Sequence, residues 1–69
     1  MDWKAHLGRN ILKFRNVLGW SQQTLANEAD LSIRFVAGVE RGEENPSLET
    51  LIALADALRI KPAQLLDEA

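Results

Sequence analysis

The chain has 69 residues, of which 46% are hydrophobic, and it contains no cysteine. This length fits one domain near the lower size limit for a core without cross-links, and the lack of thiols excludes disulfides and thiolate metal sites. The net charge of −2 arises from 8 basic and 10 acidic residues. No apolar run approaches the roughly 20 residues that span a bilayer, and the first residues lack a signal-peptide segment, so we expect a cytoplasmic protein.

The charges are unevenly distributed along the chain. Residues 1–41 hold six basic and four acidic side chains, whereas residues 42–69 hold two basic and six acidic ones. A polyanion would therefore be contacted by the first part of the chain, because phosphate groups attract Lys and Arg. The acidic remainder is left for solvent or for another protein.

Helix is the only regular element that the sequence predicts. Asp2 can cap a first helix that Gly19 ends, and the apolar residues between them recur at spacings of three and four. Ser21 can cap a second helix over residues 22–29, and Ser32 a third that extends to about Arg41. The turn between these two short helices has three residues, which forces the helices to cross steeply.

A loop over residues 42–46 precedes the fourth predicted helix, which Ser47 can cap. Its inward residues would be Leu48, Leu51, Leu54, Ala55 and Leu58. Pro62 suits the first position of a short fifth helix, from which Leu65 and Leu66 would close the core. The expected fold is all-α, a compact bundle of five short helices in a single domain over residues 1–69.

The sequence resembles the lambda-repressor-like (Cro/Xre-type) helix-turn-helix DNA-binding domains over nearly its whole length. The stretches that carry the resemblance are Leu7-Gly8-Arg9 with Arg15, Leu18-Gly19-Trp20-Ser21-Gln22 with Leu25-Ala26, Leu31-Ser32, Val39-Glu40-Arg41-Gly42 and Asn45-Pro46-Ser47-Leu48-Glu49-Thr50-Leu51. The resemblance places the helix-turn-helix at about residues 22–41. It implies sequence-specific binding of double-stranded DNA by a small transcriptional regulator, a dimeric repressor or a protein like the restriction-modification controllers. Such a homodimer would bind a pseudo-palindromic operator without a cofactor.

The resemblance also implies which residues meet the DNA backbone. The predicted phosphate contacts are Ser21, Gln22, Phe35, Arg41 and Asn45. A helix N-terminus favours an anion, which suits the first two of these residues. In this interpretation the loop residues Glu43 and Glu44 turn away, since they would repel phosphate.

The outward residues of the third helix would read the bases. In the family pattern these are Ser32, Ile33, Arg34, Ala37 and Gly38. Arg34 is the sharpest candidate, because a guanidinium matches guanine O6 and N7, although pairing with phosphate is its rival. Ile33 can contact a thymine methyl, whereas Gly38 offers only a close approach to the groove.

Two residues of the pattern are structural. Arg15 and Glu40 match a pair that in the family bridges the first and third helices and fixes the angle of the third. Two other positions depart from the pattern, because Asp30 and Arg59 stand where glycine is common and a left-handed backbone is expected. Asp30 also adds a negative charge near the predicted DNA face.

Other classes of function have weaker support. His6 is the only histidine and has no second ligand at metal-binding spacing, and no phosphate-binding glycine loop is present, so neither an enzyme nor a metal site is expected. An antitoxin with a toxin as its partner, or a protein-interaction module on the same fold, is the alternative. The dimer surface stays open between Ala63, Leu65 and Leu66 on one side and Leu12 and Val17 on the other.

Overall fold

The structure, a computed structural model, describes residues 2–67 of the chain. In chain order its elements are α1 (Trp3–Leu18), α2 (Gln22–Ala29), α3 (Ile33–Glu40), α4 (Leu48–Leu58) and a 3₁₀ helix (Pro62–Leu65). Within these residues there is no strand, which agrees with the predicted all-α class.

The prediction of five helices differs from the structure in the fifth element. The described residues form four α-helices, and the fifth element is a single 3₁₀ turn of four residues. The backbone N–H of Gln64 donates to the carbonyl of Lys61 at 2.9 Å, and the N–H of Leu66 donates to the carbonyl of Ala63 at 3.1 Å. Bonds between residues three apart are typical of 3₁₀ geometry, which seldom extends beyond a few residues.

Each α-helix begins at the polar residue that the sequence marks as its cap. Asp2, Ser21, Ser32 and Ser47 accept hydrogen bonds from the backbone N–H three residues later, at 3.0–3.3 Å. A side-chain cap of this kind satisfies a helix N–H group that has no partner within the helix and contributes about 1 kcal/mol. These local bonds set where the helices begin, including the start of α3 at the end of the short turn.

Three of the α-helices end in a left-handed residue. Gly19 follows α1 with a φ of 72°, Asp30 follows α2 with 59° and Arg59 follows α4 with 63°. The latter two are the positions where the sequence departs from the family's glycine. A left-handed backbone costs a residue with a Cβ about 1–2 kcal/mol, less for Asp than for Arg.

One core unites all five elements. Its fully buried large side chains are Leu7, Ile11, Leu25, Val36, Val39, Leu54 and Leu65. Two residues predicted to face inward do not: Leu48 is 70% exposed and Leu66 is 42% exposed. The loop residue Pro46 is buried just before α4 begins, and Leu65 fills the core beside Leu66, so neither exposed leucine is needed to close it.

Two contacts fix α1 against the rest of the molecule. Gly8 lies so close to the end of α3 that a Cβ there would be 2.5 Å from the carbonyl oxygen of Glu40. The buried side chain of Asn10 donates from Nδ2 to the carbonyls of Leu65 and Asp67, at 2.8 and 2.7 Å. α1 therefore holds α3 on one side and the C-terminal segment on the other.

Candidate nucleic-acid interface

α2 and α3 are joined by the turn Asp30, Leu31 and Ser32. The N–H of Leu31 donates to the carbonyl of Ala26 at 2.8 Å, and the half-buried Leu31 side chain packs against the core. The polar cap at each end of this turn keeps both helices short. α3 is consequently packed on α1 and α2 along one side and open to solvent along the other.

The open side of α3 carries most of the residues predicted to read bases. Ser32 and Arg34 are exposed, Ile33 is 43% exposed, and Ala37 is half-buried. The Ser32 hydroxyl is already engaged, because it accepts from the N–H of Phe35 at 3.0 Å. Arg34 is thus the one long charged side chain on this side of α3.

Gly38 does not lie in the open as predicted. It is buried, and the side chain of Glu44 covers it. A Cβ on Gly38 would be 2.7 Å from Cγ and 2.9 Å from Oε2 of Glu44. The prediction that Gly38 approaches the groove is therefore wrong, since the loop after α3 folds back over this residue.

The residues predicted to contact phosphate lie in different environments. Ser21 and Asn45 are exposed, whereas Phe35 is half-buried against the core. The Ser21 hydroxyl caps α2 and also lies 3.0 Å from Oγ1 of Thr24. Gln22 is half-buried and donates from Nε2 to Oε1 of Glu40 at 3.0 Å. An amide nitrogen has two hydrogens, so Gln22 keeps a second donor.

Arg41, the remaining predicted phosphate contact, is paired with an acid. Its Nε lies 3.1 Å from Oε2 of Glu43, and the two side chains are 56% and 62% exposed. In the absence of DNA, Glu43 is thus held beside Arg41. Because exposed ion pairs contribute little, Arg41 can exchange this partner for a phosphate at small cost.

Arg15 and Glu40 form a double hydrogen bond between α1 and α3. Nε of Arg15 donates to Oε2 of Glu40 at 2.7 Å, and Nη2 donates to Oε1 at 3.0 Å. Nη1 of Arg15 also donates to the carbonyl of Trp20 at 2.8 Å, in the turn before α2. With the bond from Gln22, the Glu40 carboxylate joins α1, α2 and α3.

The hydrogen bonds to Glu40 raise the pKa of Arg15 above its usual value, against the opposing effect of burial. A raised pKa on a cation means that its contribution to stability is fully present below the unfolded pKa. That contribution is lost only as the pH rises through the folded pKa. Through Arg15, the pair therefore stabilises the fold equally over the whole neutral range.

Nothing among the described residues points to catalysis or to a membrane. No group of three or more His, Asp or Glu side chains in residues 2–67 is arranged to hold a metal ion. Nδ1 of His6 lies 3.0 Å from Nη2 of Arg9. In the same part of the chain, no helix has both the length and the apolar character needed to cross a bilayer.

Two contacts of this surface were missed by sequence reasoning. The bond between Gln22 and Glu40 and the contact between Glu44 and Gly38 join residues of different elements. The second depends on the loop folding back, where the N–H of Glu43 donates to the carbonyl of Gly38 at 2.9 Å. No periodicity or composition in the sequence signals either contact.

Two short helices that pack together and are joined by a three-residue turn, the second with one side open to solvent, are the arrangement of a helix-turn-helix domain. The sequence profile of the HTH_3 family, described as Helix-turn-helix, matches residues 11–65. The chain therefore belongs to this family. The prediction of a DNA-binding transcriptional regulator of the Cro/Xre helix-turn-helix type is thereby confirmed.

Several known proteins are similar to this chain. Control protein C.SmaI of Serratia marcescens is 41% identical over 66 residues, which are 96% of this chain and 79% of that protein. The structure of the restriction-modification controller C.AhdI from Aeromonas hydrophila matches with a TM-score of 0.87 and 40% identity, over 90% of this chain and 94% of that one. The structure of the hypothetical transcription factor NHTF from Neisseria matches with a TM-score of 0.92 and 37% identity, over 94% of this chain and 75% of that one.

Proposed function

We propose that the protein binds a pseudo-palindromic DNA operator as a homodimer and regulates transcription there, as a repressor or as a restriction-modification controller. The observation that carries this proposal is the fixed orientation of α3. Glu40, at the last turn of α3, accepts hydrogen bonds from Arg15 and from Gln22, while the first turn of α3 presents Ile33 and Arg34 to solvent. Because operator DNA is the partner, the proposal places the protein in the cytoplasm.

In this proposal α3 enters the major groove, where each base pair presents its own pattern of donors and acceptors. Arg34 reads a guanine, and Ile33 contacts a thymine methyl. The exposed hydroxyl of Ser32 and the small side chain of Ala37 allow α3 to approach the base edges closely. No catalytic step is part of this function.

Phosphate contacts would flank this region on both sides. Ser21 and Gln22 lie at the N-terminus of α2, and Arg41 and Asn45 lie beyond the end of α3. Phe35 packs between the core and the sugar-phosphate backbone. Each phosphate that is neutralised releases a counterion, so affinity should fall steeply as salt rises.

The dimer is supported by apolar side chains that the fold leaves exposed outside α3. Leu48 and Ile52 lie one turn apart on α4, at 70% and 40% exposure, and Leu66 follows the 3₁₀ helix, which packs against α4. Leu65 was a predicted dimer residue, but it is fully buried and is withdrawn. Leu12 and Val17 of α1, the other predicted dimer residues, are 41% and 77% exposed. We propose the dimer contact on α4 and Leu66, because there the exposed apolar residues come from two elements that pack together.

The test is selection of duplexes from a random pool at two salt concentrations, with the wild type and with Arg34→Ala. We expect an inverted repeat with half-site centres about 34–36 Å apart. Arg34→Ala should relax one base position in each half-site and weaken operator binding by about 1–3 kcal/mol. The control is Lys61→Ala, which removes a positive charge from the segment after α4 and should preserve the motif.

Three outcomes would contradict parts of this proposal. A uniform loss of affinity in Arg34→Ala, with no base position relaxed, would make Arg34 a phosphate contact. A selected motif without an inverted repeat would contradict binding as a homodimer. Negligible binding at low salt would overturn DNA binding altogether.

A second candidate function is an antitoxin or protein-interaction module. It is favoured by the acidic back part of the chain and by the exposed Leu48 and Ile52, which suit a protein partner such as a toxin. It predicts that substitutions on α4 abolish partner binding, while Arg34→Ala has no effect on it.

A further inference from the structure

The side chain of Glu44 occupies a place on α3 that another residue's side chain would normally fill. Gly38 follows Arg34 by four residues and precedes Arg41 by three, so the three residues share one face of the helix. A Cβ on Gly38 would collide with Cγ and Oε2 of Glu44, at 2.7 and 2.9 Å. The loop thus supplies a carboxylate where α3 itself has no side chain.

Backbone contacts hold the loop that carries this carboxylate. The N–H of Glu43 donates to the carbonyl of Gly38 at 2.9 Å, and the N–H of Gly42 donates to that of Val39 at 3.0 Å. Gly42 has a φ of 77°, a left-handed conformation that turns the chain back toward α3. Pro46 is buried and anchors the far end of the loop.

The carboxylate of Glu44 has no hydrogen-bond or ion-pair partner in the described part of the chain, residues 2–67, and its oxygens are open to solvent. The residue as a whole is half-buried. Glu43, its neighbour, is paired with Arg41. A half-buried carboxylate gains from any donor that approaches it, because charged acceptors form the stronger hydrogen bonds.

In the major groove only two bases present a donor. Cytosine offers its N4 amino group and adenine its N6 amino group, but the adenine amino group lies beside the N7 acceptor. The adenine amino group has acceptors on both sides, its own N7 and O4 of the paired thymine, and both repel a carboxylate. The cytosine amino group has an acceptor, O6 of the paired guanine, on one side only. The chemistry of Glu44 therefore fits cytosine.

We propose that Glu44 is a specificity-determining residue that accepts a hydrogen bond from the N4 amino group of a cytosine in each half-site. This inference rests on the proposed function, because it requires α3 to lie in the major groove. It assigns the sixth position of α3, occupied by Gly38, to a side chain from the following loop.

The experiment is duplex selection followed by competition binding, with the wild type, Glu44→Ala and Glu44→Gln. We expect the wild-type motif to contain a cytosine in each half-site that Glu44→Ala no longer requires, with a loss of about tenfold or more in discrimination there. Glu44→Gln should shift the preference at that position toward adenine, because a Gln amide pairs with adenine N6 and N7. All other positions should be retained.

Two further variants separate base reading from simple charge. Glu43→Ala removes a negative charge from the same loop, and it should change affinity for all sequences equally while the cytosine is kept. Gly38→Ala leaves the carboxylate present but displaces it, since the new Cβ takes its place. It should lose the cytosine preference as Glu44→Ala does, and circular dichroism should show that its helix content is unchanged.

The possible results are distinguishable. If the Glu44 variants bind every sequence more tightly and keep the wild-type motif, Glu44 acts only by repulsion and the inference is wrong, while the proposed function stands. If the motif holds no cytosine that responds to Glu44, the inference is likewise overturned. If the wild type selects no motif at all, the proposed function fails and this inference fails with it.

Discussion

The two sides of α3 differ in how completely their polar groups are satisfied. On the inner side, toward α1 and α2, the Glu40 carboxylate accepts hydrogen bonds from both Arg15 and Gln22, and Gly8 brings the backbones into contact. On the outer side, Arg34 and Glu44 have no ion-pair partner among residues 2–67. The inner side fixes where α3 lies, and the outer side leaves its charges free for a ligand.

We therefore expect the inner contacts to set the orientation of α3 and the outer side chains to recognise the DNA sequence. Substitutions on the inner side should lower stability, and they should weaken binding to every DNA sequence because they move the whole of α3. Substitutions of the side chains on the outer side should change which sequence is preferred, and Arg34→Ala should leave stability within about 0.5 kcal/mol of the wild type. The following predictions test the division, in order of expected effect.

The largest effect is expected for Glu40→Ala. It leaves the Arg15 guanidinium, whose side chain is only 13% exposed, without its anionic partner, and it also frees Gln22. We expect a loss of about 3 kcal/mol in the free energy of unfolding, measured by urea denaturation. The control is Glu28→Ala, an exposed acid of α2, and a loss no larger than the control's would contradict the role given to Glu40.

Gly8→Ala should lower stability less than Glu40→Ala does. Its matched variant is Gly38→Ala, on the other side of α3. At Gly8 the new Cβ meets backbone atoms of α3, at 2.5 Å from Glu40 O and 2.8 Å from Val39 O. α1 and α3 must therefore separate, at a cost of about 2 kcal/mol. At Gly38 the Cβ meets only the flexible side chain of Glu44, and alanine favours the helix by about 1 kcal/mol.

Thermal unfolding of these two glycine variants measures the difference in their stability. The prediction requires Gly8→Ala to melt at a lower temperature than the wild type and Gly38→Ala to melt at the same or a higher temperature. Equal melting temperatures for the two variants would mean that α1 and α3 are not held by close backbone contact.

The smallest effects are expected at the two left-handed residues that are not glycine. Asp30→Gly and Arg59→Gly each relieve the cost of a positive φ, partly offset by the greater freedom of glycine in the unfolded chain. We expect a gain of about 0.5 kcal/mol for each in thermal unfolding. A loss of stability in both variants would mean that these conformations carry no strain.

The same two variants also test whether residue 30 lies closer to the bound DNA than residue 59 does. Asp30 lies in the turn before α3, so its removal should strengthen binding to all duplexes at low salt, because a negative charge near the phosphates is lost. Arg59 follows α4, and its replacement should not strengthen binding. Titration of a labelled duplex at low and high salt measures the affinity of both variants. Equal changes in affinity would contradict the placement of Asp30 near the DNA.

Much of the fold follows from local chemistry that the sequence displays. The caps Asp2, Ser21, Ser32 and Ser47 each act on an N–H three residues away, and Gly19 ends α1 as expected. Apolar spacing predicted most of the core. It failed at Leu48 and Leu66, because periodicity within one element does not tell which turn of a helix its neighbours reach.

The candidate site was predictable only in part. The exposed residues Ser32, Ile33 and Arg34 could be assigned from the family pattern, because they belong to a single helix. Gly38 was assigned to the open side because helix periodicity carries no information about a later segment that packs on the helix. The loop that covers it is placed by Gly42 and Pro46, which act through tertiary contacts.

The sequence by itself determined the all-α class, the helix boundaries, the short turn between α2 and α3 and the uneven charge along the chain. All of these depend on interactions between residues a few positions apart. Only the tertiary structure decided that Gln22 joins Glu40, that Asn10 binds the C-terminal segment and that Glu44 covers Gly38. The first two bonds join residues 18 or more positions apart, and the third forms only because a loop folds back on a helix that is already held in place.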